Sequence, residues 1–290
     1  MVDFRYSACH PTQAPEFMDP TSTPPLERHP LNRDFHWSLP RRTPLRILTP
    51  QQHAQFDELG FCRLTGVFTA AEIAAVIAAI DPLERAHEGK VREDGGKLRL
   101  TEVDVITFTA HLVPHSPALR DFTQHRVFKA LCHDLIGDDV RLYWDQAVYK
   151  KTQKEQEFPW HQDNGYTYIE PQQYLTCWLP LVDVDRDNGC PSIAPRLHRL
   201  GTLAHRRTPI GLQCFDRPSE VMEVPASAGD VIAFSSLAPH RTGPNLRTGT
   251  VRKAYILQFA PDGAITHLPT GETVRQDDPR RQYFILRGGQ

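Results

Sequence analysis

The sequence has no excess of charge of either sign. Its 33 lysine and arginine residues against 35 aspartates and glutamates leave a formal net charge of -2. A chain so balanced presents no field that would gather nucleic acid or an anionic membrane, and no basic stretch interleaved with aromatics offers a platform for RNA. No apolar run approaches the roughly 20 residues that span a bilayer. The opening MVDFRYSACHPTQ lacks the charged-then-apolar order of a secretory signal. The expectation is a soluble, cytoplasmic protein with neither nucleic acid nor membrane as partner. The six cysteines, Cys9, Cys62, Cys132, Cys177, Cys190 and Cys214, stand singly with no C-x-x-C pair. That spacing argues against a zinc knuckle or a disulfide framework and reads as reduced, mostly core thiols.

What is present is a chain of 290 residues, 40% hydrophobic and 23% charged, enough to bury a sizeable core. Residues 1–45 are rich in proline and poor in apolar residues, so they form an arm or a strap over the rest. Residues 46–290 are expected to make one domain. Thr49 with Pro50 signals a helix start and Gly60 its stop, FCRLTGV reads as a short strand, and Thr69 caps a second helix. On that helix Ile73, Val76, Ile77 and Ile80 recur at helical spacing. A further helical stretch is expected over 117–136. Thereafter VRLYWDQAVYKK, YLTCWLPLVDV, GCPSIAP, GDVIAFSS and VRKAYILQFA are short β-rich runs separated by turns such as DRDNG, where Asn188 and Gly189 fall. Helices first and many short strands after predict a mainly β sandwich or barrel.

Within FPWHQDNGY, residues 158–166, His161 and Asp163 are two apart. On a strand both would point to one face, with Gln162 turned away. An imidazole and a carboxylate so placed form either a structural hydrogen-bonded pair or two thirds of a metal site. His240, just after the apolar VIAF run, is the candidate third partner. Two histidines and one carboxylate with open positions are the donor set of non-heme iron(II) oxygenases. A zinc-dependent hydrolase uses similar donors, and a non-catalytic ligand-binding barrel would need no metal.

HQD at 161–163, LTCWLPLVDVDRDNGCPSIAP, GDVIAFSSLAPHRTGPN, VRKAY and the upstream FDELGFCRLTGVFTAAEI together resemble the phytanoyl-CoA dioxygenase family of Fe(II)- and 2-oxoglutarate-dependent oxygenases. The likeness runs from about residue 47 to 260. It implies a double-stranded β-helix, a jelly-roll or cupin-like barrel, buttressed by amino-terminal helices. It implies an enzyme that hydroxylates a small organic molecule with Fe(II), 2-oxoglutarate and O2, releasing succinate and CO2. Carried over by position, His161, Asp163 and His240 bind iron and Arg252 grips the distal carboxylate of 2-oxoglutarate. Thr242 supplies a hydroxyl there, Trp178 an aromatic wall, and Gln146 and Lys97 polar positions nearby. His198, in PRLHR, matches a family histidine, although the preceding APRLH departs from the family's small-residue segment.

The chemistry of Arg252 fits independently: a guanidinium grips a carboxylate through paired hydrogen bonds, and in an apolar strand it requires a partner. Lys253 is the nearest alternative anchor. Residues 197–225 form the main insertion over the site, where Arg206 and Arg207 either meet an acidic substrate or form a solvated turn. Tyr166 and Tyr168 either line the mouth or pack on the surface.

Overall fold

A computed structural model of the chain describes residues 26–151 and 158–290, so the first part of the expected arm, residues 1–25, lies outside the described residues. Thr49 opens α1 (Pro50–Leu59) with a capping box: its hydroxyl accepts the Gln52 N–H while the Gln52 side chain accepts the Thr49 N–H. The helix stops at Gly60, at φ 86°, and runs directly into β1 (Phe61–Leu64). Thr69 caps α2 (Ala70–Glu93) in the same way, and Ile73, Val76 and Ile80 form its buried stripe. The helical stretch expected over 117–136 is two helices, α3 (Pro117–Thr123) and α4 (Arg126–Leu135). They are separate because His125 starts the second afresh, its Nδ1 accepting the Val127 N–H.

Between α2 and α3 lie β2 (Lys97–Leu98), β3 (Thr101–Glu102) and β4 (Ile106–Ala110). After the helices come β5 (Val140–Lys150), a one-turn helix α5 (Asp163–Tyr166), β6 (Ile169–Glu170), β7 (Leu175–Pro180) and β8 (Pro191–Ile193). Next are β9 (Arg206–Thr208), β10 (Gly211–Gln213), β11 (Met222–Glu223), β12 (Val231–Ser235), β13 (His240–Thr242) and β14 (Arg252–Pro261). β15 (Ile265–His267), β16 (Thr273–Arg275) and β17 (Phe284–Leu286) complete the chain. A nine-stranded antiparallel sheet in the order β1-β12-β7-β14-β5-β4-β3-β2, with β17 beside β5, faces a three-stranded sheet β11-β8-β13.

Two cores follow from strand alternation. On β12, Val231 and Ala233 join the helices in the larger core, while Ile232 and Phe234 face the small sheet. On β14, Tyr255, Leu257 and Phe259 share the helix side, and Ala254 and Ile256 the inner side. Both faces of these strands are covered, which is why they read as nearly continuous apolar runs. The helix side is also pinned by charge: Lys253 reaches Asp81 of α2 at 2.8 Å, and Lys151 reaches Glu84 and Glu88 at 2.8 and 2.7 Å. No helix among the described residues is long and apolar enough to cross a membrane.

Residues 26–45 lie against the barrel. The Tyr168 hydroxyl donates to the Leu31 carbonyl at 3.0 Å, and the His29 and Tyr168 rings stack at 4.5 Å. Tyr168 therefore fastens this strap instead of lining a mouth. At the strap's end the buried carboxylate of Asp134 accepts the backbone N–H groups of Arg46, Ile47 and Leu48. Burial alone would raise its pKa, but the His133 ring and these N–H donors hold the carboxyl below its ordinary range. Asp134→Asn should cost on the order of 2–4 kcal/mol at pH 7, because an amide replaces one acceptor by a donor facing N–H groups. A carboxyl depressed in the fold contributes stability above its unfolded pKa and loses it as pH falls through the lower folded value. The gap between variant and wild type, read from urea unfolding, should therefore stay constant down to about pH 4 and shrink below it.

Candidate active site

His161 and His240 face each other across an isolated antiparallel bridge. The His161 N–H donates to the His240 carbonyl at 3.0 Å and the His240 N–H to the His161 carbonyl at 2.8 Å. Asp163 is not on the strand expected from its spacing. It begins α5, so the aspartate reaches the histidines from a helical turn instead of by i, i+2 alternation. The turn forms because Gln162, fully buried, is drawn into the protein by its own hydrogen bonds. The outcome is still convergence: one ligating atom from each of His161, Asp163 and His240 lies within 4.8 Å of the others.

Each donor is oriented by a second hydrogen bond. The Nδ1 of His161 is 2.8 Å from the Pro159 carbonyl, and that of His240 is 3.1 Å from the Ala238 carbonyl. A carbonyl only accepts, so both Nδ1 atoms carry hydrogen and both Nε2 lone pairs are left for an ion. Asp163 receives the Thr176 hydroxyl on Oδ2 at 2.5 Å, while its Oδ1 lies 3.8 Å from His240 Nε2. Burial, and His240 beside it, hold His161 well below the usual histidine range, so its ring is neutral and able to ligate at neutral pH.

Arg252 begins β14 and is 1% exposed. Its Nη1 donates to the Val148 carbonyl at 3.3 Å, while Nε and Nη2 are buried without a hydrogen-bond partner. Burial pushes the guanidinium down to about 9, still cationic at neutral pH. A buried cation with two unanswered donors is a cradle for an anion. Trp178 lies with its ring centre 5.5 Å from that guanidinium, and it sits in register with Ile232 and Ile256. Lys253 is eliminated as an alternative anchor, since it faces α2 and Asp81.

Thr242 is close by, but its hydroxyl already accepts Lys150 Nζ at 2.9 Å. Lys150, buried at the end of β5 and opposite Arg252 in register, is a neighbour the sequence reading missed. Its only signal in the sequence is a lysine at the end of the β-rich run VRLYWDQAVYKK. Gln146 is half-buried on the same face of β5, its Oε1 accepting Trp144 Nε1 at 3.3 Å. Lys97 is exposed on a two-residue strand, 3.9 Å from Glu102, and lines a cavity that Lys150 and Phe158 also line.

The remaining candidates separate cleanly. Tyr166 presents its edge to His161 at 5.4 Å and accepts the Leu212 N–H on its hydroxyl, so it belongs to the site's wall. His198 is buried against Trp37 at 4.3 Å, with Nε2 3.2 Å from the Asp57 carbonyl, and its role is packing. The departure at APRLH has a backbone counterpart in Arg196, which adopts φ 69° and pairs with Glu58 and Glu220. Arg206 pairs with Asp216 on an exposed hairpin. Asn188 and Gly189 form a turn, with Gly189 at φ 84°.

A family model described as phytanoyl-CoA dioxygenase (PhyH) matches residues 56–254. Phytanoyl-CoA dioxygenase of Arabidopsis thaliana is 27% identical over 177 residues, covering 59% of this chain and 62% of that protein. The chain thus spans less than two thirds of that relative's length. Ectoine dioxygenase of Bordetella bronchiseptica is 22% identical over 221 residues, covering 69% of this chain and 71% of its own. Among solved structures, the epimerase SnoN in complex with Fe3+, alpha ketoglutarate and nogalamycin RO superposes with a TM-score of 0.60 at 22% identity, over 77% of this chain and 86% of SnoN. That likeness, and the large and small antiparallel sheets that face each other here, establish the double-stranded β-helix. The family match begins inside α1 and ends inside β14, so it takes in both histidines, the aspartate and Arg252 in their order along one barrel: the chain belongs to the phytanoyl-CoA dioxygenase family.

Proposed function

We propose that the chain is an Fe(II)- and 2-oxoglutarate-dependent dioxygenase that hydroxylates a small organic molecule. In this reading His161, Asp163 and His240 hold iron, and Arg252 binds the distal carboxylate of the cosubstrate. The observation that carries it is the pairing of a two-histidine, one-carboxylate donor set with a buried guanidinium whose Nε and Nη2 lack partners. A zinc hydrolase would use the three donors but has no need of that guanidinium. A non-catalytic barrel would need neither. The domain is taken as residues 46–290 and the location as cytoplasmic, in keeping with the free thiols of Cys62, Cys132, Cys177, Cys190 and Cys214.

Iron(II) with 2-oxoglutarate and dioxygen supplies oxidation of an unactivated C–H bond, as the cosubstrate is split into succinate and CO2. The chain's own residues orient and insulate. The Pro159 and Ala238 carbonyls fix the imidazole tautomers, and the Thr176 hydroxyl fixes the carboxylate. Arg252 orients a dicarboxylate by its far end, Trp178 closes one wall with an apolar face, and Lys150 holds the Thr242 backbone and hydroxyl in place. Phe158 and Tyr166, ring to ring with His161 at 4.8 and 5.4 Å, flank it on the outer side. With iron bound, Asp163 would supply the carboxylate ligand whose position a halide would otherwise need, which favours oxygen insertion over halogenation.

Replacing His240 by Ala should abolish Fe(II) binding at micromolar concentrations together with turnover, checked by metal analysis after anaerobic reconstitution. Iron retained at wild-type affinity would remove His240 from the site. Arg252→Ala should leave iron binding nearly intact but weaken 2-oxoglutarate by on the order of 2–5 kcal/mol, and Arg252→Lys should recover only part, because an ammonium cannot make the paired contact. Succinate formation titrated against 2-oxoglutarate measures both, and an unchanged requirement in the alanine variant would place the anchor elsewhere.

A further inference from the structure

The short turn that carries the metal donors is wrapped in buried amides whose bonds lead away from the site to the strap. Gln162, between the two donors of the first motif, donates its side-chain amide to the Gly201 carbonyl at 2.9 Å and the Leu237 carbonyl at 2.7 Å. Its Oε1 accepts the Leu203 N–H at 2.6 Å. Leu237 lies in the turn that delivers His240, so this one side chain ties the first two donors to the third. The Gln162 backbone N–H donates to Nε2 of His205 at 3.0 Å, and His205 Nδ1 donates in turn to the Leu203 carbonyl at 2.8 Å. Burial pushes His205 down to about 4, so the neutral ring that this bond needs is the form present. A Cβ on Gly165 would lie 2.1 Å from the His205 ring, so the turn holding Asp163 can sit there only with glycine.

The second half of the network starts at Asn164, the residue after Asp163. Its Nδ2 donates to the Thr202 hydroxyl at 2.7 Å and its Oδ1 accepts the Ile169 N–H at 3.0 Å. The Thr202 hydroxyl donates to Gln172 Oε1 at 2.8 Å, and Gln172 Nε2 donates to Asn32 Oδ1 at 3.2 Å. Asn32, from the strap, closes the circuit by donating to the carbonyls of Leu200 and Thr202 at 2.9 and 2.8 Å. Asn164, Gln162 and Thr202 are 0% exposed, and Asn32 3%. A network so buried and so fully paired has one arrangement, since any slip leaves an amide unsatisfied in the interior.

We propose that this clamp, with Thr202 at its hub, sets the positions of the three metal donors, and that Asn32 and Thr202 are positioning residues of the metal centre. The inference rests on the reading of His161, Asp163 and His240 as ligands. None of the clamp's linking side chains is itself among those three, so its effect is on their placement before any ion arrives. The clamp is preorganised: in metal-free protein the amides of Gln162 and Leu203 should already be protected from hydrogen exchange.

The test uses cobalt(II) as the probe, followed by its visible absorption, in the full-length wild-type protein and in Thr202→Val, Thr202→Ser and Asn32→Ala. Valine keeps the shape of threonine and removes the hydroxyl, so Thr202→Val should bind cobalt(II) at least about tenfold more weakly with an altered spectrum, as loss of a supporting partner does at metal sites. Serine restores the hydroxyl and should restore both. Asn32→Ala carries the same expectation as the valine variant and replaces it should valine prevent folding, which circular dichroism of the metal-free protein reports. A folded Thr202→Val or Asn32→Ala with wild-type affinity and spectrum overturns the proposal. So does rapid exchange of the Gln162 and Leu203 amides in metal-free wild type, a measurement that needs no variant. Asp163→Ala is the control: if cobalt(II) binding survives it unchanged, the ligand assignment fails, whereas its loss in Asp163→Ala with none in Thr202→Val sinks the clamp alone.

Discussion

The geometry of this site depends on two backbone hydrogen bonds, those exchanged between His161 and His240. A mutually bonded antiparallel pair holds its Cα atoms about 5.5 Å apart, so the two imidazoles leave the backbone as neighbours on one side. Their rings are 4.2 Å apart, centre to centre. For the bridge to exist, β13 must lie beside β8, where His240 pairs with Ile193. The small sheet must then close over the large one, and the apolar residues between them, Trp178, Ile193, Ile232 and Phe234 among them, make that closure favourable. The donors are thus a product of sheet closure, and the inner core that drives closure also walls the site.

The two cores divide the work. On the helix side, α1, α2, α3 and α4 bury an almost wholly apolar surface against the large sheet, with ion pairs from Lys253 and Lys151 only at its margin. Buried carboxylates intrude: besides Glu84 of α2 and Asp134 of α4, Asp145 takes the N–H groups of Leu112 and Val113 and the Tyr255 hydroxyl on one oxygen, and burial raises it to about 6. On the inner side, polar groups are concentrated where the chemistry is proposed, and there Arg252 is left incompletely paired. Such an arrangement costs stability and is sustained by the larger apolar core behind it.

Local signals were legible where one residue decides the outcome. Thr49, Pro50, Gly60 and Thr69 marked helix boundaries because capping acts within a turn, and the turn-bounded β-rich runs of β5, β12 and β14 gave strands because both of their faces demand apolar cover. Arg252 stood out because a charge in such a strand needs an answer. What escaped was set by distant contacts. The helical turn at Asp163 depends on partners that no periodicity reveals, whereas the break at His125 is a local cap made by a residue outside the usual capping set. Gln162 looked like the residue turned away, and is one of the most buried side chains present. Lys97 matches a position by resemblance alone; its side chain is largely exposed, on a strand of two residues, and lines a cavity together with Lys150. The strap residue Asn32 gave no sign at all, since its partners Leu200, Thr202 and Gln172 are remote in sequence.

The unanswered nitrogens of Arg252 bear on how a turnover would end. Loss of CO2 shortens 2-oxoglutarate at its oxidised end and leaves the distal carboxylate untouched, so a guanidinium that recognises only that far group grips succinate as well as the parent acid. On the proposed reading, discrimination between fresh cosubstrate and spent product would fall to the end beside His161, Asp163 and His240, where a 2-oxo acid has two donor atoms to offer and succinate a carboxylate alone. In that reading Arg252 would be an indifferent anchor, and the exchange of one dicarboxylate for another would be decided at the opposite end of the same molecule.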